Sequence, residues 1–168
     1  RRKMHFTMEK VDDFDTIILD LDFTVWHGCE PEFWAKKLVA PITRKGLYLK
    51  DKSSNFIKLD KDFTSFIQTC SQQGKKIGFI TRGGLLDTPF NLQPPVICLK
   101  LFKIYPYFNF IKKVIYKTEK KSNYFTPYKK TLYVDDNPLD LQDIDNNING
   151  EVKTLNRNNF KSWKQLLK

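Results

Sequence analysis

The chain has 168 residues, 40% hydrophobic and 14% aromatic, enough for one packed core and too few for two generous domains. Charged residues reach 29%, which places it away from disordered compositions, and its longest apolar runs, near 17–19 and 96–102, fall far short of the roughly 18 residues that span a bilayer. A net charge of +10 comes from 24 Lys and five Arg against 19 acidic residues, a field of flexible point charges suited to attracting phosphate, not to reading base edges.

Taken in chain order, the basic opening stretch 1–10 lacks the apolar block of a secretory signal, so a reducing compartment, cytoplasm or nucleus, is expected. Residues 16–19, Thr-Ile-Ile-Leu, read as a buried strand entering Asp20. Residues 46–50 and 55–59 alternate apolar with polar around a Lys-Ser-Ser centre and predict a β-hairpin over about 46–59. Phe63, Phe66, Ile67 and Cys70 recur at helical spacing and stop at Gly74, giving a helix at about 61–73. A second strand, 76–80, enters Thr81. The stretch 89–107, with Pro94, Pro95 and Pro106, reads equally as a broken helix or a loop.

After the apolar run 114–116, residues 130–134 form a strand entering Asp135; a helix follows Pro138, a short β run covers 152–155, and a helix over 160–167 closes the chain. Strands alternating with helices imply a parallel sheet with right-handed crossovers in one domain, its core spanning about 14–168. Cys29, Cys70 and Cys98 are an odd number, 41 and 28 residues apart, which suits small buried thiols and neither a disulfide framework nor a zinc pair.

The polar residues at the strand ends carry the chemistry. Asp20 and Asp22 stand two residues apart, followed by Thr24, where the chain leaves the sheet at the edge that binds ligands in open parallel sheets. Asp135 and Asp136 end a second strand, and bringing such carboxylates together costs several kcal/mol unless a cation compensates them. A hard divalent cation such as Mg2+ is the simplest remedy. Thr81, Arg82 and two glycines end a third strand in a turn able to hold a phosphoryl oxygen, and Lys117, Lys120 and Lys121 follow the 114–116 run, where one ammonium can offset the charge of a phosphate.

Asp20-x-Asp22-x-Thr24, then Thr81, a lysine near 120 and Asp135-Asp136, each after a strand, resemble the four motifs of haloacid dehalogenase superfamily phosphatases over about 16–155. Leu19 to Trp26, with Trp two places beyond the Thr, is similar to the magnesium-dependent phosphatase-1 family, as are the Thr81-Arg82 pair and Ile115-Tyr116-x-x-x-Lys120, whose spacing selects Lys120.

The resemblance implies a three-layer Rossmann-like fold without a large cap, and an Mg2+-dependent phosphomonoesterase that works through an aspartyl-phosphate. Asp20 is then the nucleophile and Asp22 the general acid and base. Asp20, the Asp22 carbonyl and Asp135 hold the metal, with Asp136 beside them, and Thr81, Arg82 and Lys120 bind the phosphate. Only 58 residues separate Asp22 from Thr81, too few for a helical cap, so the site should be open to a phosphate on something large. A phosphoprotein is the leading partner. A polynucleotide 3′- or 5′-end is the alternative, and a catalytically silent module of the same fold is a third; no membrane partner is expected.

Overall fold

In the computed structural model, which describes residues 9–28, 41–126 and 129–167, the run Thr16–Leu19 forms β1, buried along its whole length. It is the centre of a five-stranded sheet completed by Lys76–Arg82 (β6), Lys112–Ile115 (β7), Thr131–Asp135 (β8) and Val152–Asn156 (β9). The order is β7-β6-β1-β8-β9 and every pairing is parallel. Alternation along these strands feeds two cores. Ile17, Leu19, Phe79, Leu132 and Val134 face one side, where they meet helices α1 (Phe63–Gln72) and α2 (Pro94–Leu101). Ile18, Ile80 and Tyr133 face the other and meet Leu141 and Ile144 of α3 (Pro138–Asn147). Helices on both faces of a parallel sheet make the expected three-layer Rossmann-like α/β architecture.

The predicted hairpin exists: Tyr48–Lys50 (β4) pairs antiparallel with Phe56–Leu59 (β5). It is the inner half of something larger. Trp26–Gly28 (β2) adds to β5, and Thr43–Lys45 (β3) adds to β4, giving a four-stranded antiparallel sheet ordered β2-β5-β4-β3. Its inner face puts Trp26, Leu49, Ile57 and Leu59 into the main core. Asp51 closes the β4–β5 turn by accepting from the backbone of Ser53 and Asn55.

Two further segments refine the sequence reading. The proline-rich stretch 89–107 resolves into α2 flanked by short 3-10 turns, with Pro94 and Pro95 at the helix start, where a missing N–H costs nothing. The closing helix expected over 160–167 is instead a single 3-10 turn, Trp163–Leu166, opened by a Ser162 capping box. Trp163 is wedged among Phe63, Phe66 and Phe160 at 4.9–5.1 Å between ring centroids, and this anchor fixes an extended approach at Phe160 in place of helical turns. Cys70 and Cys98 are free and buried as expected, and burial pushes the Cys70 thiol up to about 12; Cys29 lies outside the described residues. Among these residues no helix is long and apolar enough to cross a membrane.

Candidate active site

The sheet order reverses at β1, so the chain departs to one side toward β6 and later to the other toward β8, and a crevice opens beyond the strand ends. Asp20 stands just past β1, Arg82 ends β6 and Asp135 ends β8. With Asp22, Lys121 and Asp136 they line an open cleft of about 430 Å³.

The turn after β1 is built to aim its side chains. Asp20 N–H still bonds to Val134 carbonyl at 2.9 Å, continuing the ladder, after which the Leu21 carbonyl collects Thr24 N–H at 3.1 Å and Val25 N–H at 2.8 Å. Phe23 takes a left-handed conformation, φ +61°, to complete this tight reversal. The buried Thr24 hydroxyl donates to Asp20 Oδ2 at 2.9 Å and lies 3.3 Å from Asp136 Oδ1, so it joins the first and last motifs. Trp26 Nε1 donates to Asp22 Oδ1 at 2.8 Å, which orients that carboxylate toward the cleft beside Asp20.

The lysine at the centre is Lys121, not Lys120. Lys121 is 1% exposed, with Nζ 2.7 Å from Asp20 Oδ1, 2.9 Å from Asp135 Oδ2 and 3.6 Å from Asp140 Oδ2. Lys120 is exposed and lines a neighbouring depression with Lys117 and Glu119. The backbone passes from extended at Lys120 to a 3-10 turn starting at Lys121, and Ser122, bound to Asp143 through both N–H and Oγ, pins that turn to α3. Adjacent lysines therefore point to opposite environments.

Five carboxylates, Asp20, Asp22, Asp135, Asp136 and Asp140, line the cleft with three cations, Lys121, Arg82 and Lys117. Burial and the neighbouring Asp135 push the Asp20 carboxyl well above its usual range. Burial acts on Asp135 in the same sense, yet Lys121 and the Tyr133 hydroxyl outweigh it and hold Asp135 low. Burial opposes the charge on Lys121 as well, but Asp20, Asp135 and Asp140 overcome it and keep the ammonium protonated. Arg82 Nη1 also pairs with Asp140 Oδ2, while Arg82 Nη2 donates to the Glu119 carbonyl at 2.8 Å.

Tyr133 and Asp140 were not singled out by sequence. Tyr133 sits in a strand where an aromatic is ordinary core, and Asp140 is one of several acids in the first turns of α3. The one available signal was the crowding of acids after Asp135. Thr81, expected on the phosphate, is fully buried at the end of β6 with its hydroxyl 3.3 Å from the Arg82 carbonyl; Arg82, not Thr81, lines the cleft.

Asp20, Asp135 and Asp136 each offer a carboxylate oxygen, all within 4.8 Å of one another. An all-oxygen, net-negative donor set fits a hard divalent cation. The carboxylate of Asp22 is not part of this trio. Compared with known proteins, the chain matches no protein-family model and no curated protein.

Proposed function

We propose that this protein is an Mg2+-dependent phosphomonoesterase of the haloacid dehalogenase type, acting through an aspartyl-phosphate on Asp20. The observation that carries this reading is the paired arrangement of two carboxylates: Asp20 is held by Lys121 and Thr24, and Asp22 is aimed by Trp26 into the same cleft. In this reading Asp20 attacks phosphorus, the bond to the ester oxygen breaks, and Asp22 delivers a proton to the departing oxygen. Asp22 then takes a proton from water as that water attacks the aspartyl-phosphate, releasing inorganic phosphate and restoring Asp20. Lys121 and Arg82 offset charge on the transferring oxygens; Lys121 takes the role expected of Lys120. Mg2+ held by Asp20, Asp135 and Asp136 would supply further positive charge to the phosphoryl group.

Both roles of Asp20 explain its environment. A nucleophile must be desolvated enough to react, and Lys121, 2.7 Å from Asp20, favours the ionised carboxylate against the burial and the Asp135 charge that raise its pKa. The open cleft suits a phosphate carried by a large molecule. The test is p-nitrophenyl phosphate turnover with Mg2+, with EDTA, and in Asp20→Asn. Activity is expected only with Mg2+ and an intact Asp20; full activity in Asp20→Asn overturns the reading.

A further inference from the structure

The outer face of the antiparallel sheet is not used by this chemistry. Cross-strand register lines up His27, Lys58, Tyr48 and Lys45 in one row, and Phe56, Lys50 and Thr43 in the next. All are exposed except the half-buried Tyr48, and Phe56 is 43% exposed. These seven side chains include three lysines and no carboxylate. The aromatic rings lie among the ammonium groups: Tyr48 and Phe56 meet edge to face at 5.7 Å, with Lys50 and Lys58 Nζ 5.7 and 5.6 Å from the Tyr48 ring centroid.

The face runs into the cleft. His27 lies next to Phe23, ring centroids 6.2 Å apart, and Phe23, 39% exposed, lines the cleft with Asp20 and Asp22. Asp60, which His27 touches through Nδ1 at 3.0 Å, is itself bound by Arg157 and Trp163, so its charge is compensated. Lysines alone would be an ordinary device for a solvated sheet. An exposed aromatic ring among them, Phe56, with a second exposed ring, Phe23, at the cleft, costs apolar exposure and provides stacking surface.

We propose that this face binds single-stranded nucleic acid, with bases stacking on Phe56 and phosphates among Lys45, Lys50 and Lys58, and that Phe23 leads the strand's terminal phosphate to Asp20. Stacking on aromatic platforms beside lysines is sequence-tolerant, in keeping with a surface of point charges. Across four strands about 4.8 Å apart the row covers about 15 Å, the reach of a short single-stranded segment. Delivery to Asp20 rests on the phosphomonoesterase reading, and the step is that hydrolysis: water and a strand-end phosphate monoester give a hydroxyl end and inorganic phosphate. Binding itself does not depend on it.

The test separates the two. Fluorescence anisotropy of a labelled, 3′-phosphorylated dT12 is titrated with Asp20→Asn protein, so that no product forms, at 50 and 200 mM salt, while wild-type protein is assayed separately on p-nitrophenyl phosphate. Binding is expected to weaken steeply with salt, and the double change Lys50→Gln and Lys58→Gln should lower the log-log salt slope by about 1.4. Phe56→Ser should weaken binding about tenfold. These positions are solvent-facing, and a circular dichroism spectrum matching the parent's confirms that each variant folds. No binding of dT12, equal binding by the variants, or equal binding of polyglutamate or phosphatidylserine vesicles overturns the proposal. A protein that binds dT12 as described but does not turn over p-nitrophenyl phosphate with Mg2+ retains the nucleic-acid face and loses the catalytic reading.

Discussion

The two sheets use the same residue in opposite ways. At the carboxyl end of the parallel sheet, Lys121 is taken out of water and fixed between Asp20 and Asp135, so one ammonium bonds two carboxylates and helps hold Asp135 low. On the antiparallel sheet, Lys45, Lys50 and Lys58 stay hydrated and are screened within about 8 Å at physiological ionic strength. A buried charge acts through geometry and tolerates no displacement. Exposed charges act through number, and each is individually dispensable.

The largest effect should follow from Lys121→Met. Removing the ammonium leaves buried carboxylates uncompensated, a loss of about 3–5 kcal/mol, whereas exposed Lys120→Ala should stay within about 0.5 kcal/mol. Urea denaturation of both variants measures this, and a larger loss for Lys120→Ala would break the contrast. Gly28→Ala attacks the other sheet. Gly28 has φ +120°, and a Cβ there would lie 2.4 Å from the Phe56 carbonyl oxygen, so about 3 kcal/mol should be lost with β2–β5 pairing the first to open in hydrogen exchange.

Tyr133→Phe should cost about 2 kcal/mol by removing a hydroxyl that stabilises ionised Asp135. Asp135 is held below its ordinary value in the folded protein, so its contribution is present above the unfolded carboxylate pKa and is lost as pH falls through the folded one. Without the hydroxyl, acid unfolding should begin at higher pH, read by fluorescence against pH. The smallest change is Trp26→Phe, which deletes the donor to Asp22; turnover of alkyl phosphates should fall about tenfold, and that of p-nitrophenyl phosphate less, because a good leaving group needs little protonation. An equal fall for both would detach Trp26 from proton transfer.

Legibility in the sequence followed the same division. Asp20, Asp22 and Asp135 could be found because each follows an unmistakable apolar run, and a strand end fixes where the next side chain lies. Lys121 could not be told from Lys120, because a turn, unlike a strand, gives no periodicity from which direction can be read. Asp140 acts through contacts with residues distant in the chain, and Tyr133, whose hydroxyl reaches Asp135 two places on in the same strand, reads in sequence as an ordinary core aromatic. The hairpin's alternation was visible across β4, β5 and the residues flanking them, while β2 buries only Trp26 and β3 has no buried side chain to mark it. Arg82 was placed by its neighbours in the motif; its grip on Asp140, 58 residues away, needed the fold.

The antiparallel sheet also joins the rest of the molecule in an unusual way. The chain departs at Val25 and returns at Asp60, whose N–H bonds to the Val25 carbonyl at 2.9 Å. Arg157 holds both ends of this neck, through the Thr24 carbonyl at 3.1 Å and Asp60 Oδ2 at 3.0 Å. Because the neck is closed locally, lengthening the strand connections beyond it costs little additional closure entropy, and Asp22 keeps its aim as long as Trp26, the first residue past the neck, is retained. The segment is thus an attachment with a standard fitting: its outer face is free to be retooled for a different partner while the machinery at its base keeps its alignment.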